Sequence, residues 1–311
     1  MSKRIQRIVF IILIVALVSV LLLWPKSPSI IASEKLKIIS TNFASYDIAR
    51  ALTKNIDTEL TMLIKPGTDV HSYDPTPQDI IQVQNANIFI YTGGESESWV
   101  ENIQIKTQSI KLADAVTLID EPNENIIQDE REHEHEYKQA EKDEHIWTSP
   151  KNYLTMLSYA KDQMIKSFPN HAETIEQNYT NYANKLKQAD QDFRTISPTK
   201  PLIFADRFPL AYFVQEYGYE YLAALPGCAE QTEADAGTIA ELTDVIKEQK
   251  ITTIYTIELS NAKIANTIST STGAKIRTLQ SGHNITQHDF ENGLTMVDVY
   301  RNNYATLQEA E

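Results

Sequence analysis

The stretch NHAETIEQNYTNYANKLKQADQDFRTI, residues 170–196, decides how the rest of the chain is organised. Its apolar positions are Ile175, Tyr179, Tyr182, Leu186, Ala189 and Phe193, spaced 4, 3, 4, 3 and 4 apart. That spacing puts all six on one face of an α-helix. No Gly or Pro interrupts it, and Ser197-Pro198 follows. At ~1.5 Å per residue, 27 residues reach about 40 Å, the length of a whole domain. A helix this long in mid-chain predicts a stiff connector between two folded halves.

On both sides of it short apolar runs alternate with helical patterns. Before the helix, strands are expected over 36–42, 58–65 and 87–93, and helices over 46–54 and 77–85. The second of these helices opens with Thr76 as cap, Pro77 in the first turn and Asp79 three residues after the cap. Ser149-Pro150 starts another helix by the same logic. After the long helix, strands are expected over 201–205, 221–225, 252–257 and 275–279. Helices are expected over 210–217, 238–248, 261–272 and 295–308. Strand–helix alternation means parallel sheets, so the fold class is α/β, with two α/β domains joined by one long rigid helix. The expected boundaries are 1–33 for an N-terminal signal or anchor, 34–168 for the first domain, 169–197 for the linker helix and 198–311 for the second domain. No residue-level internal repeat relates the two halves.

The N-terminus carries Lys3, Arg4 and Arg7 ahead of an uncharged apolar run over 8–24. This is the charged region and hydrophobic region of an export signal. At 17 residues the run is at the short end of what crosses a bilayer. The basic side stays cytoplasmic, so the remainder is expected outside the cytoplasm, on a bacterial cell surface. Ile30-Ile31-Ala32 is a poor cleavage site, and no cysteine follows the run to take a lipid. An uncleaved membrane tether is therefore expected.

Composition excludes several functions. The 311 residues are 42% hydrophobic and 23% charged, which suits two globular domains. A formal charge of −14 argues against nucleic-acid partners and suits a cationic one. The single cysteine, Cys228, rules out an intramolecular disulfide and a Cys-rich zinc module, and is read as structural. No GxGxxG or GKS/GKT phosphate loop is present. Residues 120–145 hold eleven acidic and three basic residues and few apolar ones, which predicts an exposed acidic loop. It contains His133 and His135 among carboxylates.

In open α/β sheets ligands bind beyond the carboxyl ends of strands. His71, His145, Asp206 and His283 fall at such positions, drawn from both halves. Imidazole with a carboxylate is a common donor set for zinc, and manganese accepts it with more oxygen. Each has a plainer reading. The histidines also suit solvated turns, and Asp206 beside Arg207 suits a salt bridge. Glu258, at another strand end, suits either a ligand or a helix cap. His171 and His288 read as surface residues at helix starts.

The stretch 65–80, KPGTDVHSYDPTPQDI, resembles the first metal-ligand motif of the zinc/manganese solute-binding proteins of ABC importers, cluster A-I, zinc-type. The stretch 143–150, DEHIWTSP, resembles their second, an aspartate-x-histidine-x-tryptophan segment ending in proline. The intervening acidic, histidine-bearing loop and the long helix before a second α/β domain are similar to that family as well. The resemblance covers residue 36 to the C-terminus. It implies one metal ion in the inter-domain cleft, small closure because the helix is stiff, and delivery to an ABC permease in the cytoplasmic membrane. It implies a monomer and no enzymatic activity. In the second domain the family commonly has a histidine after the first strand. Here 204–209 reads FADRFP, so Asp206 is the nearest equivalent. The family's fourth ligand, often acidic, falls near 280–283, where His283 stands. The metal ligands implied are thus His71, His145, Asp206 and His283. Histidine-rich donors favour Zn2+ over Mn2+, and the loop either collects zinc weakly and passes it to the cleft or is only a solvated acidic segment. Two readings of other classes are a surface adhesin with a structural metal and an extracellular zinc hydrolase. The hydrolase lacks HExxH, because His133-Glu134 runs into His135-Glu136-Tyr137.

Overall fold

The computed structural model describes residues 3–5, 35–122, 142–227 and 233–310. The apolar run 8–24, the site 30–32, His133 and His135 of the acidic loop, and Cys228 lie outside the described residues. The chain divides into Met1–Lys35 and Leu36–Glu311. Of the first unit, residues 3–5 are helical and exposed. Among the described residues no helix is long and apolar enough to cross a membrane.

Leu36–Glu311 is built on two parallel sheets. The first holds β1 (Leu36–Ser40), β2 (Thr58–Met62), β3 (Ile88–Tyr91) and β4 (Gln108–Lys111), in the order β2-β1-β3-β4. The inner strands LKIIS and IFIY are near-continuous apolar runs, as strands covered on both faces require. The second sheet holds β5 (Leu202–Phe208), β6 (Tyr221–Pro226), β7 (Thr253–Thr256) and β8 (Lys275–Thr278), in the order β6-β5-β7-β8. The two sheets therefore share one strand order without sharing a sequence repeat. In each, the order reverses beside the first strand of the half, which opens a crevice at the carboxyl ends.

The helices form where the caps allow. Asn42 and Ser45 make a capping box for α1 (Phe43–Leu52), and Thr76 and Asp79 make one for α2 (Pro77–Asn85). Each box satisfies two N–H groups that a helix start leaves open. Ser149 caps α3 (Pro150–Ser167), with Pro150 in the first turn. The long connector is α4 (Ala172–Phe193), preceded by a short 3-10 turn at Pro169–His171. Its 22 residues span about 33 Å. Ile175, Tyr182, Leu186, Ala189 and Phe193 are buried along it, while Tyr179 is only partly covered. Phe193 meets the ring of Phe213 at 4.9 Å on α5 (Ala211–Tyr217). The remaining helices are α6 (Ala236–Glu248), α7 (Lys263–Thr272), α8 (Gln287–Glu291) and α9 (Met296–Ala310).

One buried carboxylate ties four of these helices together. Asp47 on α1 accepts from the Tyr153 hydroxyl of α3 at 3.1 Å, from the Tyr182 hydroxyl of α4 and from the Met296 backbone N–H of α9 at 3.1 Å. Arg50, one turn along α1, pairs with its other oxygen. Each of these donors left without an acceptor in the core would cost about 1–3 kcal/mol. The helical scaffold behind the two sheets is thus fixed by polar contacts as well as by apolar burial.

Candidate metal centre

Three loops beyond the sheets converge on one point. His71 sits on a 3-10 turn, Val70–Ser72, whose cap Asp69 accepts the His71 backbone N–H at 3.1 Å. Glu144 and His145 lie on irregular backbone that runs into the 3-10 turn Ile146–Thr148 and then α3. His283 follows β8. Its backbone N–H donates to the Ser281 hydroxyl oxygen at 3.1 Å, and Ser281 is held in turn by the Glu258 carboxylate through its own N–H and hydroxyl, both at 2.6 Å.

His71, Glu144, His145 and His283 each offer one donor atom, and these atoms all lie within 4.8 Å of one another. The Glu144 Oε1 is 3.5 Å from the His71 Nδ1 and 3.8 Å from the His283 Nε2. The His145 and His283 rings are 4.9 Å apart, as are those of His71 and His283. A tetrahedral zinc ion, with bonds of about 2.0–2.2 Å, spaces its donors about 3.3 Å apart. A shift of about 1 Å or less per donor would therefore close the shell.

The donors are aimed and left open. Asp143 Oδ1 accepts both the His145 backbone N–H at 2.7 Å and its ring Nδ1 at 3.0 Å. That assigns the proton to Nδ1 and leaves the Nε2 lone pair toward the cluster. Ser96 binds Glu144 Oε2 through its N–H at 2.9 Å and its hydroxyl at 2.8 Å, so Oε1 alone faces inward. Glu144 Oε1, His145 Nε2 and His283 Nε2 are all buried with no hydrogen-bond partner. Buried polar atoms are rarely left so. Three of them converging on one point fit a cation. Gly94 makes room for this arrangement, because a Cβ there would overlap the Glu144 side chain. Trp147 packs its ring 4.9 Å from His283 and donates its indole N–H to the Ser281 carbonyl at 2.9 Å, walling the cluster on one side.

Two of the three imidazoles, His71 and His283, are tuned toward neutral lone pairs. Burial, and then the neighbouring His145, pull the His71 pKa down to about 4. Burial and the other two histidines push His283 well below its ordinary value. Burial works most strongly against charge on His145, but Asp143 together with Glu144 and Glu121 outweighs it and holds that pKa above the ordinary value.

Asp206 does not join this group. The strand expected to end at 205 continues to Phe208, and its pairing with β6 shifts register between Phe204 and Arg207. Asp206 stands inside that irregularity rather than at a strand end. Its carboxylate accepts from the Arg207 N–H at 2.8 Å and from the Ile257 N–H at 3.4 Å, in place of contacts the ladder loses there. Glu258 likewise serves the His283 loop and not the cluster. Glu144 is the member of this cluster that sequence reasoning missed. The available signal was its position between Asp143 and His145 in a segment with no regular period. We expect Asp206→Asn to keep zinc stoichiometry and to change zinc affinity by less than about tenfold, the low end for groups that only support a ligand. Competition against a chelator measures this, and a hundredfold loss would put Asp206 in the donor set.

A family model described as the periplasmic zinc-uptake complex component A, ZnuA, matches residues 38–310. The chain belongs to the ZnuA family. It is 27% identical over 318 residues to the zinc-binding protein AdcA of Streptococcus pyogenes serotype M3, covering 96% of this chain and 61% of that protein. The chain thus spans about three fifths of the length of the AdcA relatives it matches. It is 25% identical over 285 residues to the high-affinity zinc uptake system protein ZnuA of Bacillus subtilis, covering 89% of this chain and 88% of that one. Among solved structures, the Zn(II)-bound ZnuA-like domain of Streptococcus pneumoniae AdcA superposes with a TM-score of 0.73 at 25% identity, over 89% of this chain and 98% of that domain. The fold is accordingly the two-domain α/β arrangement of ZnuA-like proteins, with parallel sheets joined through a long helix.

Proposed function

We propose that this chain captures a divalent metal ion outside the cytoplasm, zinc in preference to manganese, and delivers it to an ABC-type permease. Its parts are a tether over 1–33, a first domain over 34–168, a connecting helix over 169–197 and a second domain over 198–311. The observation that carries this is the convergence of three buried, unpartnered donor atoms, on Glu144, His145 and His283, with a His71 ring nitrogen beside them. Three imidazoles and one carboxylate suit zinc, whereas manganese prefers more oxygen. Four protein donors close the shell against water, which suits carriage rather than hydrolysis. The family membership and the zinc-binding names of the relatives support the same reading.

Release then requires that the permease-docked form hold the ion less well than the free form. Binding only to the folded protein also stabilises it. Zinc at a hundredfold above its dissociation constant adds about 2.7 kcal/mol, which raises the melting temperature by about 4–5 °C for a protein of this size. Calorimetric titration of the metal-stripped full chain, with zinc and manganese in competition, tests the proposal. One zinc per chain, undisplaced by equimolar manganese and accompanied by that thermal shift, is expected. Absence of saturable zinc binding would overturn the proposal.

A further inference from the structure

We infer that Asn284, assisted by Arg207, is a positioning residue that holds the His71 loop against the His283 loop and so sets how slowly a captured ion leaves. This rests on the metal-capture reading. The segment leading to His71 begins with a tight turn over 65–68. The Thr68 N–H donates to the Lys65 carbonyl at 3.1 Å, Pro66 is at the second position, and Gly67 takes φ +82° at the third. This is the turn class that needs a left-handed third residue.

The whole turn is seated on the residues just after His283. The Asn284 side-chain N–H2 donates to the Lys65 carbonyl at 2.8 Å and to the Thr68 carbonyl at 2.7 Å, gripping both ends of the turn. Its side-chain oxygen accepts the Ile285 N–H at 2.8 Å, which fixes the amide's direction. The Gly67 N–H closes the contact on the Ile285 carbonyl at 2.8 Å. Asn284 is buried, so none of these bonds competes freely with water.

A second hold lies closer to the cluster. The Asp69 carboxylate accepts the His71 N–H through Oδ1 and the Arg207 guanidinium through Oδ2, each at 3.1 Å. Arg207 stands on β5, in the other sheet. Asp69, Arg207 and Asn284 line the same cavity as His71, His145 and His283. The loops are thus joined by contacts that bypass all four donor atoms. On this inference the ion leaves as the His71 and His283 loops part, so the strength of those contacts enters the dissociation rate.

The test is transfer of zinc from the loaded full-length protein to excess chelator, followed by stopped flow. The proteins compared are the wild type, Asn284→Ala, Arg207→Ala and Arg207→Lys. Asn284→Ala is expected to bind one zinc and release it about tenfold faster or more, having lost the two side-chain hydrogen bonds that cross to the His71 loop. Arg207→Ala is expected to release it several-fold faster, and Arg207→Lys to recover most of that at low salt. A merely structural role would lower the metal-free melting temperature without this ordering of release rates. Release within twofold of wild type in Asn284→Ala overturns the inference. Should that variant not fold, Arg207→Ala within twofold of wild type does the same. A wild-type protein that takes up no zinc overturns the metal-capture reading, and this inference with it. Normal wild-type uptake with unchanged release in the variants overturns the positioning role alone.

Discussion

His145→Ala is expected to weaken zinc binding by about a thousandfold or more. His145 is fully buried, its ring is oriented by Asp143, and its Nε2 has no partner except the position an ion would take. Loss of groups that merely orient a ligand costs about 10–100-fold in metal affinity, and loss of the oriented ligand itself must exceed that. No side chain on that segment replaces the lost imidazole, because Asp143 is held toward the position of the ring and Trp147 is fully buried beside it. Competition titration against a chelator of known affinity measures the effect. A loss below tenfold would mean that the ion is held elsewhere.

The second large effect is assigned to Glu144→Gln, with zinc affinity reduced about a hundredfold or more. The substitution keeps the shape, and an amide oxygen can still accept from Ser96. What disappears is the single negative charge among the four donors. In a buried site, where Coulomb attraction is several times stronger than in water, that charge offsets much of the cost of bringing in a dication. The metal-free protein should be no less stable, because the amide keeps the Ser96 contacts while the buried Oε1 no longer carries charge without a hydrogen-bond donor. Urea unfolding without metal and competition titration with zinc separate the two effects. Unchanged affinity would remove Glu144 from the site, and strong destabilisation without metal would make it structural.

Much of the fold could be read directly from the chain because its local signals agree. The capping box at Thr76 and Asp79, the Ser149-Pro150 start and the 3.6-residue stripe from Ile175 to Phe193 all appear as expected, within two or three residues at the ends. The short edge strand Gln108–Lys111 was not legible, since its QSIK sequence has one buried residue and no alternation long enough to register. The site divides in the same way. His71, His145 and His283, singled out in the sequence by their loop positions and flanking motifs, are brought together by the structure. Glu144 was hidden by the acidic run around it, and adjacent residues point apart in any regular element. Only the irregular backbone at 143–145 lets Glu144 and His145 face one point. Asp206 is set apart from the cluster for the opposite reason. A strand that continues through a bulge looks, in sequence, like a strand that has ended.

The most direct measurement is a crystal structure of the zinc-loaded full-length protein, with the ion located by anomalous scattering at the zinc edge. One ion is expected, bound by a ring nitrogen of His71, Nε2 of His145, Nε2 of His283 and Oε1 of Glu144, at about 2.0–2.2 Å from each. An ion held through Asp206, or bound by fewer than three of these four residues, would contradict the account.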